Sequence, residues 1–172
     1  MTNPIHPPLK RHASLQPLSR DHYVGLVQAQ HLIKSADGSP ADRAKALADF
    51  VQAWAEEISA HFNDEERLLS ELVAGAPRER LHREHRALAD LAEKARLRTA
   101  APDPGAAWIR ELGQLLNDHI RWEERELFPL IEHSASAEQL RELTQETDRI
   151  ERSRARNVRR PSSSNARAAA RD

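Results

Sequence analysis

Two segments of the chain carry the same pattern of residues that can bind a metal ion. His61 and Glu65 stand four residues apart, as do His119 and Glu123, and Glu-Arg follows each pair. Four residues of an α-helix complete one turn and about 40° more, so each His and its Glu project from one face. Imidazole and carboxylate groups together suit zinc, iron, manganese or copper. The repeat therefore predicts a metal site shared by two helices.

Two further histidines complete this repeat. His22 and His85 each follow an acidic residue, Asp21 or Glu84, and each precedes one of the His-x-x-x-Glu segments. The chain therefore consists of two helical hairpins of similar design, each supplying a His and then a His with a Glu. All six candidates fall on the apolar stripes of their helices, so we expect them to meet in the core.

Six polar groups in an apolar core need partners, since each one left unpaired would cost on the order of a few kcal/mol. A hydrogen-bonded network without metal is one way to satisfy them, and a bound metal is the simpler way. The chain contains no Cys, which excludes disulfides, iron–sulfur clusters and thiolate ligands. The predicted site is therefore built from nitrogen and oxygen ligands alone.

The number of candidate ligands favours two metal ions. Six protein ligands exceed the four positions of a tetrahedral zinc ion. Two ions of about six positions each offer roughly twelve. Four histidines would fill four, two bridging glutamates another four, and a bridging oxygen species two, which leaves two open positions for solvent or a small ligand. His82, three residues before His85, is a further candidate and would leave one position open.

Helical periodicity is the main secondary-structure signal, because no stretch alternates for long with the period of a strand. Four long helices joined by short loops predict an all-α, antiparallel up-down-up-down four-helix bundle with a short extra C-terminal helix. The helices are predicted at about residues 20–35, 40–74, 77–99, 104–133 and 136–152. The predicted organisation is a flexible N-terminal arm (1–16), the bundle (17–135), the polar C-terminal helix (136–152) and a disordered basic tail (153–172).

The composition excludes several classes of protein. The chain has 26 Lys and Arg against 27 Asp and Glu, which argues against a globally basic nucleic-acid-binding protein. No apolar run approaches the roughly 18 residues that a membrane-spanning helix needs. The N-terminal residues also lack the apolar segment of a secretory signal. A cytoplasmic protein without a membrane partner is therefore predicted.

The order of these motifs resembles the hemerythrin-like HHE cation-binding domains. The most specific stretch is HIRWEERELFPLI at 119–131, and the resemblance covers about residues 15–135. It implies an up-down-up-down four-helix bundle around a non-haem di-iron centre with a bridging oxygen species. The implied terminal ligands are His22, His61, His85 and His119, and the implied bridging ligands are Glu65 and Glu123.

The chain also departs from the oxygen-carrying members of that family. Those have two histidines four apart on the third helix, whereas His82 and His85 are three apart, and they use an Asp five after the last His, whereas Glu123 follows His119 by four. These departures weigh against simple oxygen carriage and favour the wider family. The predicted function is the binding or sensing of a small ligand such as oxygen, nitric oxide or peroxide.

The sequence leaves two other functions open. One is a di-iron enzyme, either peroxidase-like or donating iron for the repair of iron–sulfur clusters. Repair relatives usually carry a Cys-bearing N-terminal domain, which counts against that activity here. The other is a structural bundle that depends on its metal. The four remaining histidines are predicted to be bystanders: His6, His12, His31 and His133. Glu66 and Glu124 are predicted to lie beside the site rather than to bind metal.

Overall fold

The computed structural model describes residues 11–158, and the regular elements in that range are all helices. Helix α1 is Gln16–Ser35, α3 is Ala76–Arg98 and α5 is Ala137–Val158. Helix α2 runs without a break through Pro40–Ala53, Trp54–Ile58 and Ser59–Leu69, and α4 through Ala106–Trp122, Glu123–Leu127 and Phe128–Ser134. The all-α class is therefore confirmed. The up-down-up-down order stays a prediction. The short loops that join consecutive helices from α1 to α4 favour it.

The helix starts follow local capping rules. Ser39 and Asp42 form a capping box at the start of α2, and Ser136 and Gln139 form another before α5. Gly75 has φ of 60° and stands directly before α3. Helix α2 ends at residue 69 rather than near residue 74 as predicted, so this glycine serves the start of the following helix and not the end of α2.

Helices α1 and α4 pack unusually closely, because two glycines remove side chains from their interface. A Cβ on Gly113 would lie 2.8 Å from the backbone oxygen of Ala29, and one on Gly25 would lie 2.6 Å from Cδ1 of Ile120. Around this contact, Phe50, Leu112 and other buried residues form the larger of two apolar clusters. The approach of α1 to α4 brings the two hairpins together at the level of the candidate ligands.

Helices α2 and α4 each contain one π-helical turn, Trp54–Ile58 and Glu123–Leu127. Such a turn holds one extra residue, so positions beyond it are displaced by about 100° from a regular α-helix. Regular periodicity therefore predicts Leu130 in the core, but it is 40% exposed, and Ile131 is fully buried in its place. That expectation was wrong because the sequence pattern does not reveal the extra residue.

Both ends of the described chain are more ordered than the sequence suggests. Residues 1–16 were predicted as a flexible arm, yet Ala13–Leu15 form a 3-10 helix and Leu15 is fully buried. Arg11 forms an ion pair with Glu124 at 2.8 Å. Burial and this ion pair stabilise a segment that has no helical period of its own. Residues 1–10 lie outside the described residues.

Helix α5 continues to residue 158, beyond its predicted end near 152. Arg154 forms ion pairs with Asp21 of α1 and Asp64 of α2, which fixes the start of the segment predicted as a disordered tail. The rest of that predicted tail, 159–172, lies outside the described residues. Among the described helices, none combines the length and the apolar character needed to cross a bilayer.

Candidate metal centre

The six predicted ligands converge in the middle of the helices. His22, His61 and Glu65 form one group and His85, His119 and Glu123 the other, and in each group one ligand atom per residue lies within 4.8 Å of the others. All six residues are at most 5% exposed. Each hairpin thus supplies one group of two histidines and one glutamate.

The two carboxylates connect the two groups. Oε1 of Glu65 lies 3.2 Å from Nε2 of both His22 and His61, while its Oε2 lies 3.5 Å from Nε2 of His85. Glu123 has the mirrored arrangement, with Oε1 3.2 Å from Nε2 of His119 and Oε2 3.1 Å from Nε2 of His22. Each glutamate therefore turns one oxygen toward each pair of histidines, as a carboxylate that bridges two ions must.

Several of these buried atoms have no hydrogen-bond partner despite their short separations. They are Nε2 of His61, His85 and His119, Oε2 of Glu65 and both carboxylate oxygens of Glu123. Their directions do not suit hydrogen bonds to one another. Ligand atoms about 2.1 Å from one ion and at right angles lie about 3 Å apart, close to the separations found here. The donor set thus fits two metal ions better than a metal-free network.

The outward ring nitrogens of three histidines donate to carboxylates. Nδ1 of His22 lies 2.7 Å from Glu124, that of His85 lies 3.0 Å from Glu66, and that of His119 lies 2.9 Å from Glu84. A ring that donates from Nδ1 keeps the lone pair of Nε2 free and directed at the site. Nδ1 of His61 is 3.7 Å from Oδ2 of Asp21, which is too long for a hydrogen bond.

These outer carboxylates are distributed symmetrically over the two hairpins. Glu84 stands beside His85 in sequence but contacts the other histidine of its own hairpin, as Asp21 does in the first hairpin. Glu66 and Glu124 instead each contact a histidine of the opposite hairpin. The prediction that these two glutamates lie beside the ligands agrees with the geometry. The spacing of residues in the sequence does not predict which histidine each of the four carboxylates contacts.

The electrostatics of the site favour charged side chains in the absence of metal. Burial lowers the pKa of His61, but the carboxylates of Glu65 and Asp21 have the larger, opposite effect and raise this pKa to about 9. His119 behaves alike, because Glu123 and Glu84 outweigh burial and raise its pKa to about 9. Burial raises the pKa of Glu65, yet the facing histidines hold it well below the usual range. Without metal, these pKa values favour imidazolium rings facing carboxylates. A bound cation would take the place of the imidazolium protons.

The comparison with protein families gives a match that agrees with this geometry. The model of the hemerythrin HHE cation-binding domain matches residues 18–131, and it matches again over 79–170. The first match includes all six candidate ligands. This chain belongs to the hemerythrin HHE family. Neither the curated proteins nor the solved structures gave a match to it.

The fifth histidine candidate of this HHE domain lies apart from the two groups. His82 is 30% exposed, its Nε2 lies 2.9 Å from Oγ of Ser70, and its Nδ1 lies 3.4 Å from Glu66. It therefore contacts an outer carboxylate rather than the inner ligand atoms. Three of the predicted bystanders, His12, His31 and His133, are exposed. His6 lies outside the described residues.

Aromatic rings enclose the inner site of the HHE domain. Phe62 stacks on His85 with ring centroids 4.0 Å apart, and Phe128 stacks on His22 at 5.4 Å. A pocket of about 480 Å³, lined in part by Phe62, leads from the surface to His22 and His61 of the first group. A small molecule can therefore approach the first group of ligands while the second remains covered.

Proposed function

We propose that this HHE domain binds two non-haem iron ions and uses them to bind or sense a small ligand such as oxygen or nitric oxide. The four core histidines would hold these ions as terminal ligands and Glu65 and Glu123 would hold them as bridging ligands, together with a bridging oxygen species. The helices that hold them form an antiparallel up-down-up-down four-helix bundle. We further propose that the protein acts in the cytoplasm.

One observation carries this proposal. Each of the two buried glutamates presents one oxygen to each pair of histidines, at 3.1 to 3.5 Å. A single tetrahedral ion binds four ligands, so it would leave two of the six unused and would not need two symmetric groups. The absence of thiolates and the mixture of imidazole and carboxylate suit iron, and the HHE family binds cations.

The protein's own residues explain how a small ligand would be held. Iron supplies open coordination positions and redox chemistry when it is bound. Glu124, Glu66 and Glu84 orient the histidine rings from outside, and Phe62 and Phe128 exclude water from the inner site. The pocket beside His61 admits ligands of limited size. Ordered rings in a dry cavity favour binding of a diatomic molecule over exchange with bulk water.

The size of the pocket supports a second candidate function. A volume of about 480 Å³ is larger than a diatomic molecule needs, and it lies within the range of small-molecule sites. The pocket would then hold an organic reductant that gives up two electrons and two protons as peroxide is reduced to two molecules of water. This peroxidase-like reading is the enzymatic alternative to ligand sensing.

Metal analysis tests the proposal directly. Protein produced in iron-replete cells is expected to contain about two iron atoms per chain, which is the number that two facing groups of ligands accept. One zinc ion per chain, or no metal, would contradict the di-iron assignment and favour a structural role for the bundle.

A second experiment separates sensing from catalysis. The reduced, iron-loaded protein is mixed with oxygen, nitric oxide or peroxide while its visible spectrum is recorded. Ligand binding predicts a stable spectral change that reverses when the gas is removed. Continuous consumption of peroxide with an added reductant would establish the enzymatic alternative instead.

A further inference from the structure

We propose that the pocket beside His61 is the route by which metal ions enter the site. Its lining includes the carboxylates of Asp21, Glu56 and Glu57, which attract divalent cations, and Arg154 of α5, which pairs with Asp21 and offsets part of this charge. The inference rests on the proposed function, since it concerns the loading of the same metal centre.

The inner end of the pocket presents unpaired ligand atoms. His22 and His61 both line it, and both nitrogens of His61 lack a hydrogen-bond partner although the side chain is only 6% exposed. An ion that reaches this point meets a donor that no other protein group satisfies. The pocket therefore joins the surface to a first ligand of the centre.

The outer end of the pocket has an excess of negative charge. Glu56 and Glu57 lie on the π-helical turn of α2, both are exposed, and neither forms an ion pair with a residue in the described part of the chain. A cleft lined by charges of one sign raises the local concentration of ions of the opposite sign. This mouth thus selects cations over anions.

Arg154 occupies the position that an entering cation would take. Its guanidinium binds Asp21 and Asp64, and the same oxygen of Asp21 lies 3.7 Å from Nδ1 of His61. The Arg154 side chain is 41% exposed, and such ion pairs at the surface are individually weak. Arg154 can therefore leave Asp21 to an entering cation without unfolding of the helices that carry the ligands.

A second groove near the site has the opposite charge. It reaches His22 between α1 and α4 and is lined by Arg20, Arg121 and Arg125. Three guanidinium groups repel a divalent cation, although Glu124 lies among them. Of these two pockets in the described part of the chain, the one beside His61 has the lining that suits a metal ion.

The test measures the rate at which the metal-free, full-length protein takes up Co²⁺, followed by the absorbance of the bound ion. The double variant Glu56→Gln/Glu57→Gln is expected to load about fivefold more slowly at low salt, with the difference shrinking at high salt. Arg154→Ala is expected to load faster than the wild type. The amount of cobalt bound at the end is expected to be unchanged in both.

Matched controls separate entry from general charge effects. Asp90→Asn/Glu111→Gln changes the net charge equally at exposed positions away from the pocket, and Arg149→Ala removes an arginine of α5 that pairs within its own helix. Both are expected to load at the wild-type rate. Unchanged rates in the pocket variants, or equal changes in the controls, would overturn the entry route alone. Failure of the wild type to bind cobalt would overturn the proposed metal site as well.

Discussion

The Nδ1–H of His119 donates a hydrogen bond of 2.9 Å to Glu84, which stands next to a different histidine of the site in sequence. This contact fixes the ring so that Nε2 points at the candidate metal. Glu84→Ala is therefore expected to weaken metal binding by about 10- to 100-fold, measured by competition with a chelator of known affinity. Glu84→Gln should retain part of the affinity, because its amide oxygen can still accept the bond.

The control for that variant lies on the same helix. Glu79 is exposed in the first turn of α3, and Glu79→Ala removes the same charge without touching a histidine. Its metal affinity should equal that of the wild type. An equal loss in both variants would show that the charge of α3, and not the contact with His119, sets the affinity.

Loss of a bridging ligand should affect the site differently from loss of a terminal one. Glu123 contacts histidines of both groups, whereas His61 contacts only one of the two inner carboxylates, that of Glu65. Glu123→Ala is expected to bind no stable pair of ions, and His61→Ala to retain about one ion per chain. Metal content and thermal unfolding of each purified variant provide the measurement. Two ions per chain in Glu123→Ala would exclude a bridging role.

His82→Ala is expected to keep two metal ions per chain. Its ring contacts Ser70 and Glu66 and does not reach the inner ligand atoms. The affinity should fall less than in Glu84→Ala, because His82 touches only an outer carboxylate. A drop to one ion, found by metal analysis after dialysis, would establish His82 as the fifth histidine ligand.

Metal binding should release protons near neutral pH. In the metal-free protein, Glu65 and Asp21 outweigh the effect of burial and raise the pKa of His61 to about 9, and His119 is raised equally. Both rings are therefore protonated at pH 7, and ligation must deprotonate them. Calorimetric titrations in buffers of different ionisation enthalpy should detect about two or more protons released per chain.

The same pKa shifts set the pH dependence of stability without metal. A histidine whose pKa in the folded protein exceeds its unfolded value of 6.5 contributes its full stabilisation to the fold below pH 6.5. This contribution is lost as the pH rises through about 9. The melting temperature of chelator-treated protein should fall over this interval, and that of metal-loaded protein should fall much less. Parallel curves for the two forms would contradict protonated core histidines.

Substitution of two glycines between α1 and α4 should show whether the new side chain is crowded by backbone or by another side chain. A Cβ at position 113 meets the backbone oxygen of Ala29 at 2.8 Å, which cannot move without shifting a helix. Gly113→Ala is therefore expected to destabilise the fold by about 1–3 kcal/mol in denaturant unfolding. A Cβ at position 25 meets only the end of the Ile120 side chain, so Gly25→Ala should cost less. Equal losses would argue against this backbone contact.

Much of the site follows from the sequence because helical periodicity acts over short distances. The four-residue spacing of His61 and Glu65 places both on one face whatever the rest of the chain does. Repetition of that unit at His119, with earlier histidines in each hairpin, is enough to predict that six ligands meet. The bounds of α3 differ from the prediction by one residue at each end for the same local reason.

The features that sequence reasoning misses depend on long-range packing. The π-helical turn that moves Leu130 outward and Ile131 inward leaves no mark in the pattern of apolar residues. Arg154 belongs to a segment whose composition indicates disorder, and only its contacts with α1 and α2 fix it. Such contacts join residues far apart in the chain, so no spacing rule identifies them.

The exchange of outer carboxylates between the hairpins has a consequence for biogenesis. Glu66 of the first hairpin orients His85 of the second, and Glu124 of the second orients His22 of the first. A nascent chain that has folded only its first half therefore holds His22 without Glu124, the carboxylate that orients its ring, and lacks the second group of ligands. For the metal centre proposed above, we therefore expect loading to follow completion of the fold rather than to begin on the growing polypeptide.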